Sequence, residues 1–159
     1  MIKLLAFVLL IVPLFGETTH FTFPDHHSRF LYFTEKSVKN SSQITIISKT
    51  FNHTALKKVL QSAAKSGSKV NLYLNTASKD PLNLIQYRGI ELFLTPARLE
   101  QSFILIDKES LCTTTGEIDE ARFSQSASSM HCSTDPSDIK RLNPWLKEIR
   151  SLSRPYFKE

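Results

Sequence analysis

SQITIISKTFNHTALKKVLQSAAKSGSKVNLYLN, residues 42–75, decides the fold. Its opening, QITIIS at 43–48, is a β-branched run that reads as a strand. Asn52 or Thr54 offers an N-cap for the helix that follows. Ala55, Leu56, Val59, Leu60, Ala63 and Ala64 share one face of that helix, and Gly67 supplies its stop. KVNLYLN at 69–75 then sets Val70, Leu72 and Leu74 on one side of a second strand. Strand, helix and strand over this length form a βαβ unit.

Downstream the same logic repeats. Asp80-Pro81 reads as an N-cap with proline at the first helical position, opening a short helix LNLIQYR that stops at Gly89, and IELFLT at 90–95 is the next strand. SFILID at 102–107 and SLCTT at 110–114 then read as a hairpin around Lys108-Glu109. Ser124 to Ser133 is polar and small, with a last strand at Met130 to Ser133. Asp135-Pro136 caps a final helix carrying Ile139, Leu142, Leu146, Ile149 and Leu152 at helical spacing, with a kink or break at Pro144. Upstream, RFLYFT at 29–34 is aromatic and β-prone, and is expected in the sheet. ETTHFTFPDHHS at 17–28 has no sustained period and reads as an irregular lead-in.

A chain of 159 residues at 41% hydrophobic supports one core, so a single domain over 17–159 is expected. Residues 1–16 read differently. Lys3 precedes the apolar run Leu4 to Phe15, too short for a spanning helix of roughly 20 residues, and Gly16 leads into polar Glu17-Thr18-Thr19. This is the order of a signal peptide cleaved near Gly16. Leu14 stands where a small residue is preferred, so an uncleaved N-terminal anchor is the alternative to a periplasmic or secreted protein. Export would allow Cys112 and Cys132 to form a disulfide worth roughly 3 kcal/mol, the other reading being two small core thiols.

The formal charge of +5 favours polyanionic partners, nucleic acid or anionic phospholipid, without a block of cations dense enough to be a binding tail. Only four glycines are present, and neither a P-loop nor a dinucleotide fingerprint occurs, so no cofactor is expected. His26-His27 beside Asp25, with His20 nearby, is the one cluster that resembles a metal site. Adjacent histidines on a strand point to opposite sides, and His53 and His131 are isolated, so no metal is expected. Trp145 is read as a packing residue, and the sequons at Asn40 and Asn52 matter only in a glycosylating host.

The run 42–75, followed by GIELFL and FILID, resembles the phospholipase D superfamily, in particular its small exported bacterial nucleases with one catalytic motif per chain. The resemblance spans roughly residues 42 to 107 and more loosely extends to 133. It implies an α/β/α sandwich, a mixed sheet flanked by helices on both faces, in which two motifs of the form His-x-Lys-x4-Asp meet across one site. One histidine attacks phosphorus, the other protonates the leaving group, and the lysines hold the phosphate oxygens.

With the motif Asp on Asp107, at the end of FILID, Glu100 falls on the His position and Ser102 on the Lys position. The Gly-Ser-x-Asn turn that follows the motif falls on Thr114, Thr115, Gly116 and Glu117, or, shifted by two, on Gly116, Glu117, Ile118 and Asp119. Neither register restores it. A carboxylate at 100 repels a phosphodiester, and Ser102 cannot supply the lysine charge; loss of the nucleophile alone costs on the order of 10³ or more in rate. Arg98 is close enough to reach an anion, and Thr113, Thr114 and Thr115 offer hydroxyls. Glu100 and Asp107 are a candidate carboxylate pair, but on a regular strand an odd separation faces them to opposite sides. Glu100 is therefore expected in solvent, and Asp107 hydrogen-bonded in its turn, at the mouth of a cleft. The first reading is therefore a pseudoenzyme with a binding or partner-subunit role. The alternative is a phosphodiesterase or nuclease with relocated groups, working as a homodimer or as a heterodimer with a motif-bearing relative. A third is an unrelated α/β binding module.

Overall fold

The computed structural model describes residues 16–157; the expected signal segment lies outside them except for Gly16. Strand β2 (Gln43–Ser48), helix α2 (Thr54–Lys65) and strand β4 (Lys69–Leu74) form the expected unit, with β2 and β4 parallel. His53 caps α2: its side chain accepts from the Leu56 N–H, where Asn52 or Thr54 was expected. Gly67 ends the helix region at φ +101, a conformation that suits glycine. Helix α3 (Lys79–Leu84) begins at Lys79 with Ser78 as N-cap and ends well before Gly89; β5 (Ile90–Leu94) then pairs parallel to β4. Strands β6 (Gln101–Ile106) and β7 (Ser110–Thr115) form the hairpin, turning through Asp107 and Lys108, both at positive φ.

Three segments depart from the sequence reading. Residues 29–34 are helical, inside α1 (His27–Val38). Phe30, Thr34 and Val38 are its buried residues, one per turn, and the Thr34 hydroxyl is satisfied by the Phe30 carbonyl at 2.9 Å. This helical stripe outweighs the β propensity of the aromatics. The lead-in contains β1 (Thr18–Phe23), whose Phe21 and Phe23 are buried while Thr22 is exposed. Its partner β9 (Ser128–Ser133) starts earlier than expected because Ser128 and Ser129 face Phe23 and Thr22 across the pair. A short helix, α4 (Glu120–Gln125), was unforeseen; it follows a two-residue strand β8 (Ile118–Asp119) that pairs parallel to β3 (Phe51–Asn52).

Helix α5 (Pro136–Leu152) is capped by Asp135 and runs unbroken through Pro144, which lies on its solvent side. The chain returns as β10 (Arg154–Pro155). The eight-stranded sheet has the order β1-β9-β7-β6-β2-β4-β5-β10. One face packs on α1, α2, α3 and α4 through residues such as Ile46, Leu56, Leu72 and Phe123. Ile47, Tyr73, Leu105 and Leu111 on the other face meet Leu142, Leu146 and Ile149 of α5. Buried on both faces, β2 has the near-continuous apolar sequence expected of a central strand. Cys112 and Cys132, opposite one another on β7 and β9, are bonded as a disulfide. Trp145 packs on Phe103, ring centroids 4.9 Å apart. Among the described residues no helix is long and apolar enough to cross a membrane.

Candidate functional site

The motif positions on β6 are built from strand periodicity. Ser102 shares the face of Ile104 and Ile106, which points into the core under the helices, and is 1% exposed. Its hydroxyl lies 2.7 Å from the Ser48 hydroxyl and also donates to the Gly116 carbonyl. Ser48, itself fully buried, donates to Thr50 O at 2.6 Å and accepts the Ile118 N–H at 3.1 Å. Two hydroxyl protons thus serve three contacts, so one is shared. The network stitches the ends of β2 and β6 to the turn after β7, at the position where the sequence resemblance places the motif lysine.

Glu100 precedes β6 on the surface. Its carboxylate pairs with Arg98 at 3.0 Å, both side chains largely in water, so the two charges neutralise one another and neither is held in a site. Asp107 stands beyond the other end of β6, about 16 Å from Ser102 at a strand rise of 3.3 Å per residue. Its carboxylate accepts from Ser42 N at 2.8 Å and Gln43 N at 2.7 Å, fastening the β6–β7 turn to the start of β2. Glu100 and Asp107 therefore form no carboxylate pair.

The turn also differs from its first expected register. Thr114 and Thr115 belong to β7, where the Thr114 hydroxyl donates to Ser129 O at 2.7 Å, so the chain turns later, at Gly116. Gly116 has φ +75, and a Cβ there would collide with Nη1 of Arg122. That guanidinium donates to Glu117 O at 3.2 Å and approaches the Thr115 hydroxyl. Glu117 pairs with Lys49 at 3.6 Å, and Asp119 caps α4 by accepting from Arg122 N at 3.0 Å. The register shifted by two is thus the one that coincides with the turn.

A second group of polar residues was not foreseen as a unit. The first turns of α1, α2 and α4 meet near the end of β2, and there Nε2 of His27 lies 3.1 Å from Nε2 of His53. Phe123 packs against both rings. His53 is fully buried, and its pKa is lowered from 6.5 to about 4, chiefly by burial, with His27 adding to the effect and Glu120 and Asp119 opposing it. Glu120 accepts the Thr54 N–H at 2.9 Å, and its pKa is lowered although burial alone would raise it.

Tautomers follow by elimination. Nδ1 of His53 accepts the Leu56 N–H at 3.2 Å, so its proton sits on Nε2 and is donated to His27 Nε2. The Nδ1 lone pair of His53 is thus taken by the α2 backbone and the Nε2 lone pair of His27 by the His53 proton, so each of these two lone pairs is already engaged in a hydrogen bond. The other histidines are placed apart: His26 accepts from Thr22 N at 3.1 Å, and His20 meets His131. Sequence spacing could not pair His27 with His53, 26 residues away, because only the packing of α1 on α2 joins them.

This large mixed sheet flanked by helices superposes on solved structures. NucT from Helicobacter pylori superposes with a TM-score of 0.78 at 14% identity, covering 89% of this chain and 99% of NucT. Nuc from Salmonella typhimurium, described as a phospholipase D family member, gives 0.73 at 15% identity over 90% of this chain and 99% of its own. The fold is that of the phospholipase D superfamily. The same phospholipase D-like unit matches TrmBL2, described as an archaeal chromatin protein with a novel mode of DNA binding, at 0.60 and 13% identity, covering 86% of this chain and 53% of TrmBL2. Neither a protein-family model nor a curated protein sequence matches this chain.

Proposed function

We propose that the protein is an exported, catalytically inactive phospholipase D-like protein with a binding or partner-subunit role. The observation that carries this reading is Ser102: the lysine position is buried and tied into the Ser48–Gly116 network. A phosphate cannot be held there by charge, and Glu100 offers an ion-paired carboxylate in place of an imidazole nucleophile. The His27–His53 pair is engaged in structure: the His27 Nε2 lone pair accepts the His53 proton, and His53 Nδ1 caps α2.

Export is supported by the N-terminal apolar run and by the disulfide, which persists in oxidising compartments. A binding role for nucleic acid or an anionic phospholipid surface is supported by the charge of +5 and by the likeness to a chromatin protein described as binding DNA. A homodimer, or a heterodimer with a motif-bearing relative, is the assembly that the two-motif site implied by the resemblance would call for.

The test is a phosphodiesterase assay with homogeneous protein on single- and double-stranded DNA, RNA and phosphatidylcholine vesicles, paired with binding to the same ligands. No turnover is expected. Turnover that disappears in Glu100→Gln or Asp107→Asn would overturn the reading. Turnover appearing only when a motif-bearing relative is added would assign the partner-subunit role.

A further inference from the structure

Among the described residues no set of three or more His, Cys, Asp or Glu side chains is grouped to hold a metal ion. A pair of ligands is present on the sheet itself. His20 on β1 and His131 on β9 are direct cross-strand partners, with Nδ1 atoms 3.2 Å apart. Their neighbours Phe21, Met130 and Cys132 are buried on the helix-rich face. The two imidazoles therefore stand on the opposite side of the sheet from Ser102, beside α5. His20 is exposed, and His131 lines an open groove of about 310 Å³ together with Thr113, Ser133, Asp138 and Arg141.

A neutral imidazole carries one proton on one of its two nitrogens. Two Nδ1 atoms at this distance need something electropositive between them, either a proton held by one ring or a cation accepted by both. With metal–nitrogen bonds of about 2.0–2.1 Å, a separation of 3.2 Å corresponds to a nitrogen–metal–nitrogen angle of about 100°, between the octahedral and tetrahedral values. The rings meet at 71° with centroids 4.3 Å apart, and the exposed His20 ring is free to adjust. Backbone preorganisation is strong: β1 and β9 are paired over six residues, and the disulfide ties β9 to β7 one residue from His131. The contrast with His27 and His53 is informative, because there a backbone N–H claims Nδ1 of His53 and fixes a proton between the rings. Among the described residues no backbone N–H does so at His20 or His131.

We infer that His20 and His131 form a two-histidine chelate for a divalent transition-metal ion, water completing the coordination on the open side. Imidazole nitrogen suits Cu(II), Ni(II) and Zn(II), with Cu(II) bound most tightly and Ca(II) or Mg(II) not retained. The site is independent of the degenerate motif and of the proposed binding role.

The test uses the full chain without a histidine tag, titrated with Cu(II) and Zn(II) by calorimetry and by electron paramagnetic resonance of the Cu(II) form. One ion per chain with two equatorial imidazole nitrogens is expected. His20→Asn and His131→Asn should each weaken Cu(II) binding about 100-fold, the loss of an intramolecular second ligand, whereas His26→Asn should leave it unchanged. Zn(II) should shift the ring ¹⁵N resonances of His20 and His131 in the unmodified protein, a readout that needs no variant. Absence of binding, equal binding in all variants, or ring shifts confined to other histidines would overturn the inference and leave a shared proton between the rings.

Discussion

Replacing His53 with Asn separates two duties that the imidazole performs at the start of α2. Asparagine retains an N-cap acceptor for the Leu56 N–H but does not titrate. In the native chain the ring is buried and neutral, its pKa lowered from 6.5 to about 4. The unfolded chain therefore takes up a proton more readily than the folded one, and stability rises with pH. The contribution of the neutral ring is complete above pH 6.5 and drains away as pH falls toward 4. Over that whole window the loss is about 3 kcal/mol, and between pH 7 and pH 5 it is about 2 kcal/mol. For a chain of this length that corresponds to roughly 4–8 °C in melting temperature. Thermal unfolding followed by circular dichroism at pH 7, 6 and 5 should show the native protein losing this much more than His53→Asn. Glu120 acts in a different window: its lowered pKa supplies stability above pH 4.5 that is lost only below it. Parallel melting curves for the two proteins between pH 7 and pH 5 would refute the reasoning, because they would mean that His53 is solvated or already protonated in the fold.

Asp107→Ala removes the acceptor of the Ser42 and Gln43 N–H groups and places alanine at φ +52, so a loss of about 2 kcal/mol is expected in urea unfolding, with Asp107→Asn milder. Removing the disulfide by Cys112→Ala with Cys132→Ala should cost about 3 kcal/mol, the value for closing a loop of this length, and native mass spectrometry of the unmodified chain should show no free thiol. Restoring the motif by Glu100→His with Ser102→Lys should not produce a phosphodiesterase. The introduced ammonium would enter a buried position already filled by the Ser48 network, and the double variant should melt several degrees below the native protein.

Local chemistry made the centre of the fold legible. The β-branched run at 43–48, the helical stripe from Leu56 to Ala64 and the glycine at 67 specify strand, helix and strand without help from the rest of the chain, because each signal lies within a few residues of the element it sets. The substitutions Glu100 and Ser102 were equally readable, since a missing imidazole and a missing ammonium need no coordinates. Where long-range packing chose the outcome, the sequence was mute or misleading. RFLYFT became helix because Phe30, Thr34 and Val38 meet the sheet at one residue per turn, and THFTF became a strand because β9 was there to pair with it.

The residue sequence by itself thus determined the βαβ frame and the hairpin. Only the tertiary structure decided what the surviving residues do. Asp107 kept its identity but serves the β2 backbone, Ser102 became part of a buried hydroxyl network, and four histidines scattered from 20 to 131 became two close pairs. The physical reason is range: hydrophobic period and capping act over a few residues, whereas hydrogen bonds between side chains 26 and 111 residues apart exist only once the sheet has brought its strands together.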